Sequence, residues 1–185
     1  DERQHERLDE RKQLARAAAG LVQDGQSLMI DAGSTTMEFA RAVALSARQV
    51  TVVTNSLQVA MILGTSAAAR VIMTPGRYLN DEAALTGTET CAFLRDYHVD
   101  ACYLGASALN DAGVSETIDG FAAVKRTMLD QSSARHFLID ADKHDKRHLT
   151  TVTDIGGIGT LITDAQPTGP LAAALKAQGV AVVVP

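Results

Sequence analysis

Ser27-Leu28-Met29-Ile30-Asp31-Ala32-Gly33-Ser34-Thr35-Thr36 decides how this chain is read. An apolar run and a tight polar turn lead into a helical pattern from Met37 to Leu45, so the stretch is a strand, a turn and the first turn of a helix. The first N–H groups of a helix lack partners within it and lie at the positive end of its dipole. A glycine that lets the backbone approach closely, followed by three hydroxyl residues, makes a seat for a phosphate or carboxylate.

Outward from this stretch, runs rich in Val, Ile and Leu recur at 28–31, 50–54, 70–74, 100–104, 136–140, 159–163 and 180–184. Helical patterns separate several of them, at 36–45, 56–63, 89–95, 118–132 and 169–178, and a first helix is expected over 11–22. Strands that are apolar throughout and alternate with helices signal a parallel sheet covered on both faces. The expected fold is therefore α/β, three-layered and Rossmann-like, with a mainly parallel sheet. Ligands in such sheets bind beyond the carboxyl ends of the strands, where strand order reverses. The polar residues that follow strands are Asp31–Thr36, Thr54-Asn55-Ser56, Pro75-Gly76-Arg77, Gly105-Ala106-Ser107 and Asp140-Ala141-Asp142-Lys143, and together they form a candidate rim.

Composition narrows the function. The 185 residues carry a net charge of −5 and only 4% aromatics, with no Trp. That argues against both a basic nucleic-acid footprint and a base-stacking surface. No apolar stretch is long enough to span a bilayer and no signal peptide opens the chain, so a cytoplasmic protein is expected. Cys91 and Cys102 read as reduced core thiols. Residues 1–16 interleave acidic and basic side chains, as a solvated helix or linker does, and the chain opens on Asp1. A preceding segment is expected.

Taken in order, these segments resemble the effector-sensing domain of DeoR-type transcriptional regulators. The resemblance runs from Arg11-Lys12-Gln13-Leu14-Ala15 to Val184. It is carried by Asp31–Thr36, Val52-Val53-Thr54-Asn55-Ser56-Leu57, Gly76-Arg77-Tyr78, Thr86-Gly87, Asp100–Ala106, Val124-Lys125-Arg126, Leu138–Lys143 and Leu161-Ile162-Thr163-Asp164. It implies a fold similar to ribose-5-phosphate isomerase and CoA transferases, and binding of a phosphorylated sugar or related metabolite without a cofactor. It also implies a winged helix-turn-helix in a separate N-terminal domain, through which alone DNA would be bound, and a homo-oligomer. Residues 1–10 would be the remnant of the interdomain linker and 11–185 the single effector-binding domain.

The ligand residues implied are Asp31, Gly33, Ser34, Thr35, Thr36, Thr54, Asn55, Gly76, Arg77, Gly105, Glu116, Lys125 and Lys143. Ser34, Thr35 and Thr36 would hold phosphate, although an ordinary helix cap accounts for the same residues. Asp31 either binds sugar hydroxyls or orders its loop. Thr54, Asn55 and Glu116 suit sugar hydroxyls, and Arg77, Lys125 and Lys143 are the candidate cations. Three positions depart from the family pattern: Pro75 replaces a glycine, Phe121 a glutamate and Asp142 a serine. His144 and His148 have metal-like spacing without a third ligand and read as exposed histidines. Gly156-Gly157-Ile158-Gly159 precedes a strand and reads as a turn rather than a nucleotide loop. The competing readings are enzymes. A sugar-phosphate isomerase could use Asp31, Glu116 and Lys125 for acid–base chemistry, and a CoA-transferase-like enzyme would need Glu89 or Glu116 as nucleophile.

Overall fold

The structure, a computed structural model, describes residues 2–185. In chain order the elements begin α1 (Glu2–Ala19), β1 (Gln26–Ile30), α2 (Ser34–Ser46), β2 (Val50–Thr54), α3 (Leu57–Leu63) and β3 (Ala69–Met73). A hairpin of β4 (Arg77–Leu79) and β5 (Ala84–Thr86) precedes α4 (Thr88–Arg95) and β6 (Val99–Leu104). Then come β7 (Ala108–Asn110), β8 (Gly113–Glu116), α5 (Asp119–Asp130), β9 (Ser132–Leu138), β10 (Thr150–Thr153), β11 (Thr160–Ile162), α6 (Gly169–Ala177) and β12 (Ala181–Val183).

All seven apolar runs become strands of one sheet, ordered β12-β11-β9-β6-β1-β2-β3. Every neighbouring pair in it is parallel. Alternation along the strands explains why both faces are apolar. Leu28 and Ile30 of β1 pack with Leu14 and Ala18 of α1, Phe39 and Val43 of α2, and Val59 and Leu63 of α3. Met29, between them, joins Leu94 of α4, Val124 and Met128 of α5, and Leu171 and Leu175 of α6 on the other face. Cys91 and Cys102 are unpaired and buried in that second layer, as expected.

The sequence reading passes over five short strands. β4 and β5 form their own antiparallel hairpin, and β10, β8 and β7 a three-stranded antiparallel sheet. At three or four residues apiece they are too short for periodicity to register. The first helix also differs, running from Glu2 to Ala19 rather than over 11–22. Most of residues 1–10 therefore continue α1; Asp1 and the side chains of Glu2, Arg3, Gln4 and Glu6 lie outside the described residues. The glycine-rich stretch after β10 is a 3₁₀ turn, Ile155–Gly157, with Asp154 accepting from the Gly157 N–H. Among the described residues no helix is long and apolar enough to cross a membrane.

Candidate functional site

β1 lies between β2 and β6: the chain steps outward from β1 to β3, then returns to lay β6 on the opposite side. This reversal opens a crevice beyond the carboxyl ends of β1 and β6, where ligands bind in such sheets. Asp31 follows β1 and Gly105 follows β6, and the Gly105 N–H donates to Asp31 Oδ1 at 3.1 Å. A cleft of ≈ 380 Å³ occupies the crevice, walled by Ala32–Thr36, Gly105–Ser107, Glu116–Ile118 and Phe121, with Glu82, Lys125, Lys143 and His148.

One wall is the start of α2. Its N-cap is Gly33, which has no side chain to satisfy the helix end, and no acidic residue occupies the first turn. The amides of Ser34, Thr35 and Thr36 precede the first intrahelical bond, from Met37 N–H to the Gly33 carbonyl, at 3.0 Å. The three hydroxyls have different roles. Thr36 is spent internally, donating to the carbonyls of Asp31 at 3.0 Å and Gly33 at 3.2 Å. Ser34 is exposed. Thr35 Oγ1 is buried on the cleft wall and has no partner. A buried hydroxyl without a partner costs about 1–3 kcal/mol, so this helix end is unsatisfied in two respects.

A second wall is a buried ionic cluster. Lys125 Nζ bonds Asp31 Oδ2 and lies 3.3 Å from Glu116 Oε1, and Ser107 Oγ donates to Glu116 Oε2. All three charged residues are at most 5% exposed. Burial pushes the Lys125 ammonium toward neutrality, but the two carboxylates outweigh it and hold its pKa above the ordinary lysine value. Burial raises the Asp31 pKa against the opposing pull of Lys125 and the Gly105 N–H. The charge of Lys125 is thus already committed to two carboxylates. Asp31, not itself on the cleft wall, ties β1 to β6 and α5, as the loop-ordering role requires.

Lys143 is the more available cation. It lines the cleft from a 3₁₀ turn after β9, Ala141–Lys143, and pairs with Asp140 at 3.3 Å while still partly exposed. His148 lines the cleft too, and His144 bonds the Thr163 hydroxyl at 3.0 Å, so neither is the free surface histidine expected. Burial lowers the His144 pKa.

Besides Asp31, four expected ligand residues do not line the cleft. Thr54 is buried, donates to the Ile30 carbonyl at 2.7 Å and accepts from Ser56 N–H at 3.1 Å. Asn55 donates from Nδ2 to the Leu85 carbonyl at 2.9 Å, which seats the β4–β5 hairpin, while its buried Oδ1 has no partner. Gly76 has φ 144°, and an added Cβ there would collide with Thr90 Oγ1, so the glycine serves the packing of its loop. Arg77 is exposed on β4. Conversely Ser107, Thr117, Ile118 and Glu82 line the cleft without having been assigned. Ser107 sits on the rim read from the sequence, but the two strands that aim Glu116 at it gave no signal. A second, larger groove of ≈ 450 Å³ between α1 and α2 lies at no strand end and has Ala15, Ala42 and Leu45 in its walls.

A parallel sheet with a strand-order reversal, a helix N-terminus without a capping side chain and a charged cluster at its carboxyl edge defines an α/β domain with a candidate ligand cleft at its switch point. Its fold is that of ribose 5-phosphate isomerase A from Neisseria gonorrhoeae, at TM-score 0.56 over 76% of this chain and 55% of that one, with 18% identity. The family model of the DeoR C terminal sensor domain matches residues 6–165, and the chain belongs to that family. Among curated relatives, it is 28% identical to the HTH-type transcriptional repressor CsqR of Escherichia coli (strain K12), covering 100% of this chain and 71% of that protein. It is 26% identical to the glycerol-3-phosphate regulon repressor of the same organism, covering 90% and 66%. The chain thus spans about two thirds of the length of these relatives.

Proposed function

We propose that this domain binds a phosphorylated sugar or related metabolite in the cleft between β1 and β6 without turning it over. Binding then alters the DNA affinity of a helix-turn-helix domain in the full-length protein, a cytoplasmic, homo-oligomeric repressor of carbohydrate metabolism. The observation that carries this reading is the start of α2: three amides without intrahelical acceptors, no capping side chain and the orphaned Thr35 hydroxyl, all on one cleft wall. A phosphate supplies acceptor oxygens to such a helix end and neutralises its dipole, and Lys143 stands on the same cleft. The relatives, named as repressors, support the regulatory half.

The test is thermal unfolding of the domain with phosphorylated sugars and their unphosphorylated counterparts. A ligand at a hundredfold its dissociation constant stabilises the fold by about 2.7 kcal/mol. A shift with the phosphorylated member of a pair alone is expected. The reading fails if no phosphorylated compound, inorganic phosphate included, moves the transition.

The isomerase reading has one observation in its favour: Asp31, Glu116 and Lys125 do converge. Their groups already bond one another, however, and general-base catalysis needs a carboxylate within reach of a substrate proton. Incubation with ribose 5-phosphate and detection of the ketose distinguishes the two, since turnover above the uncatalysed rate overturns the sensor-only reading.

A further inference from the structure

The charge balance of the buried cluster carries an inference about which phosphorylated compounds fit, resting on the phosphosugar reading above. We propose that Lys125 and Glu116 select ligands whose non-phosphate end bears hydroxyls, and reject those that carry a carboxylate there.

A compound seated by its phosphate on α2 presents its remaining atoms to the other walls of the cleft, including Ser107, Glu116 and Lys125. One ammonium faces two carboxyl groups, both within 3.3 Å of it or closer. Whatever the protonation of Asp31, the cluster has no positive charge to spare. A carboxylate entering this wall meets the carboxylate of Glu116 while Lys125 is already shared between two carboxyl groups and Lys143, the other lysine on the cleft, is paired with Asp140, and like charges brought together away from water are costly. A hydroxyl fits. It donates to a remaining lone pair of Glu116 and accepts the third N–H of Lys125, because a carboxylate offers about four acceptor sites and an ammonium three donors. The known partners use two of those three donors, on Asp31 and Glu116. Phe121, buried on the same cleft, adds an apolar face and no cation.

Matched pairs test this by titration calorimetry: glycerol 3-phosphate with 3-phosphoglycerate, ribose 5-phosphate with 5-phosphoribonate, and glucose 6-phosphate with 6-phosphogluconate. In whichever pair binds, the hydroxylated member is expected to bind on the order of a hundredfold more tightly than its acid. Glu116→Gln removes one negative charge while keeping the shape, and should narrow that ratio at least tenfold. Equal affinities in the unaltered domain, or tighter binding of the acid, overturn the inference and leave the phosphate seat standing. A ratio unchanged by Glu116→Gln removes Glu116 from the role. If no member of any pair binds, the phosphosugar reading itself falls, and the inference with it.

Discussion

Lys125 and Asp31, 94 residues apart in sequence, form a buried ion pair that joins α5 to the end of β1. Read from sequence alone, Lys125 is the cation that would meet a phosphate; in the fold it is the counter-ion of two carboxylates. Its removal is therefore a stability experiment before it is a binding experiment. Lys125→Ala leaves Asp31 and Glu116 buried without compensation and should cost about 3–5 kcal/mol in urea unfolding. A loss under about 1 kcal/mol would mean that the ammonium is not committed as described.

Thr35 and Lys143 give the opposite pattern. Thr35→Val removes a hydroxyl that has no partner, so the unliganded domain should hold its stability or gain slightly, while ligand-induced stabilisation falls. Lys143→Ala deletes a partly exposed pair with Asp140, worth at most about 1 kcal/mol, and should also weaken phosphate binding. Thermal unfolding of each variant with and without inorganic phosphate or a bound sugar phosphate separates the two effects.

At Gly76 the cost is steric. Gly76→Ala forces a side chain onto positive φ and against Thr90 Oγ1 and the Thr86 carbonyl, the latter at 2.9 Å. Gly87, at φ 116°, faces open space, so Gly87→Ala incurs only the backbone strain, about 1–3 kcal/mol. Chemical denaturation should rank Gly76→Ala clearly below Gly87→Ala, and equal losses would show that the clash relaxes freely.

Acid sensitivity has defined sources at two histidines whose pKa burial lowers, His144 and His136, and His136 is the one that substitution isolates. Its ring stacks on Tyr103 with centroids 4.4 Å apart, and burial lowers its pKa from 6.5 despite a bond to the Cys102 carbonyl. A histidine with a depressed folded pKa contributes stability that is present above pH 6.5 and is lost as pH falls toward the folded value. Urea midpoints measured from pH 7.5 down to 5 should decline, and His136→Phe, which keeps the stack, should flatten the decline. An unchanged slope would remove His136 as a source.

The parallel sheet was legible because its seven runs of Val, Ile and Leu pack against apolar layers, fully in the central strands and partly in the edge strands β3 and β12, and burial of that kind writes itself into sequence. The start of α2 was legible for the same local reason: a strand, a glycine and hydroxyls are contiguous. Glu116 and Lys125, expected as ligand residues, do line the cleft, but their mutual pairing was invisible, since it depends on how β8 and α5 fold back over β1. Thr54 and Asn55 lie off the cleft, which the sequence could not show because a polar residue after a strand looks the same whether it faces a ligand or holds a hairpin. Arg77 lies off the cleft for a similar reason: β4 and β5, three residues each, turn it to solvent and leave no periodic trace.

The place of β1 between β2 and β6 also governs when the cleft can exist. Its walls come from residues near 33, 105, 116, 125 and 143, and the Gly105–Asp31 bond alone closes a separation of 74 residues. Contacts that distant form only after the chain has surrendered the entropy of long loops, which slows folding. A growing polypeptide thus carries the start of α2 early, yet the cleft is incomplete until Lys143 has been synthesised and docked. The cleft is a property of the finished sheet, and a metabolite that binds across it would hold together segments as far apart as residues 33 and 143.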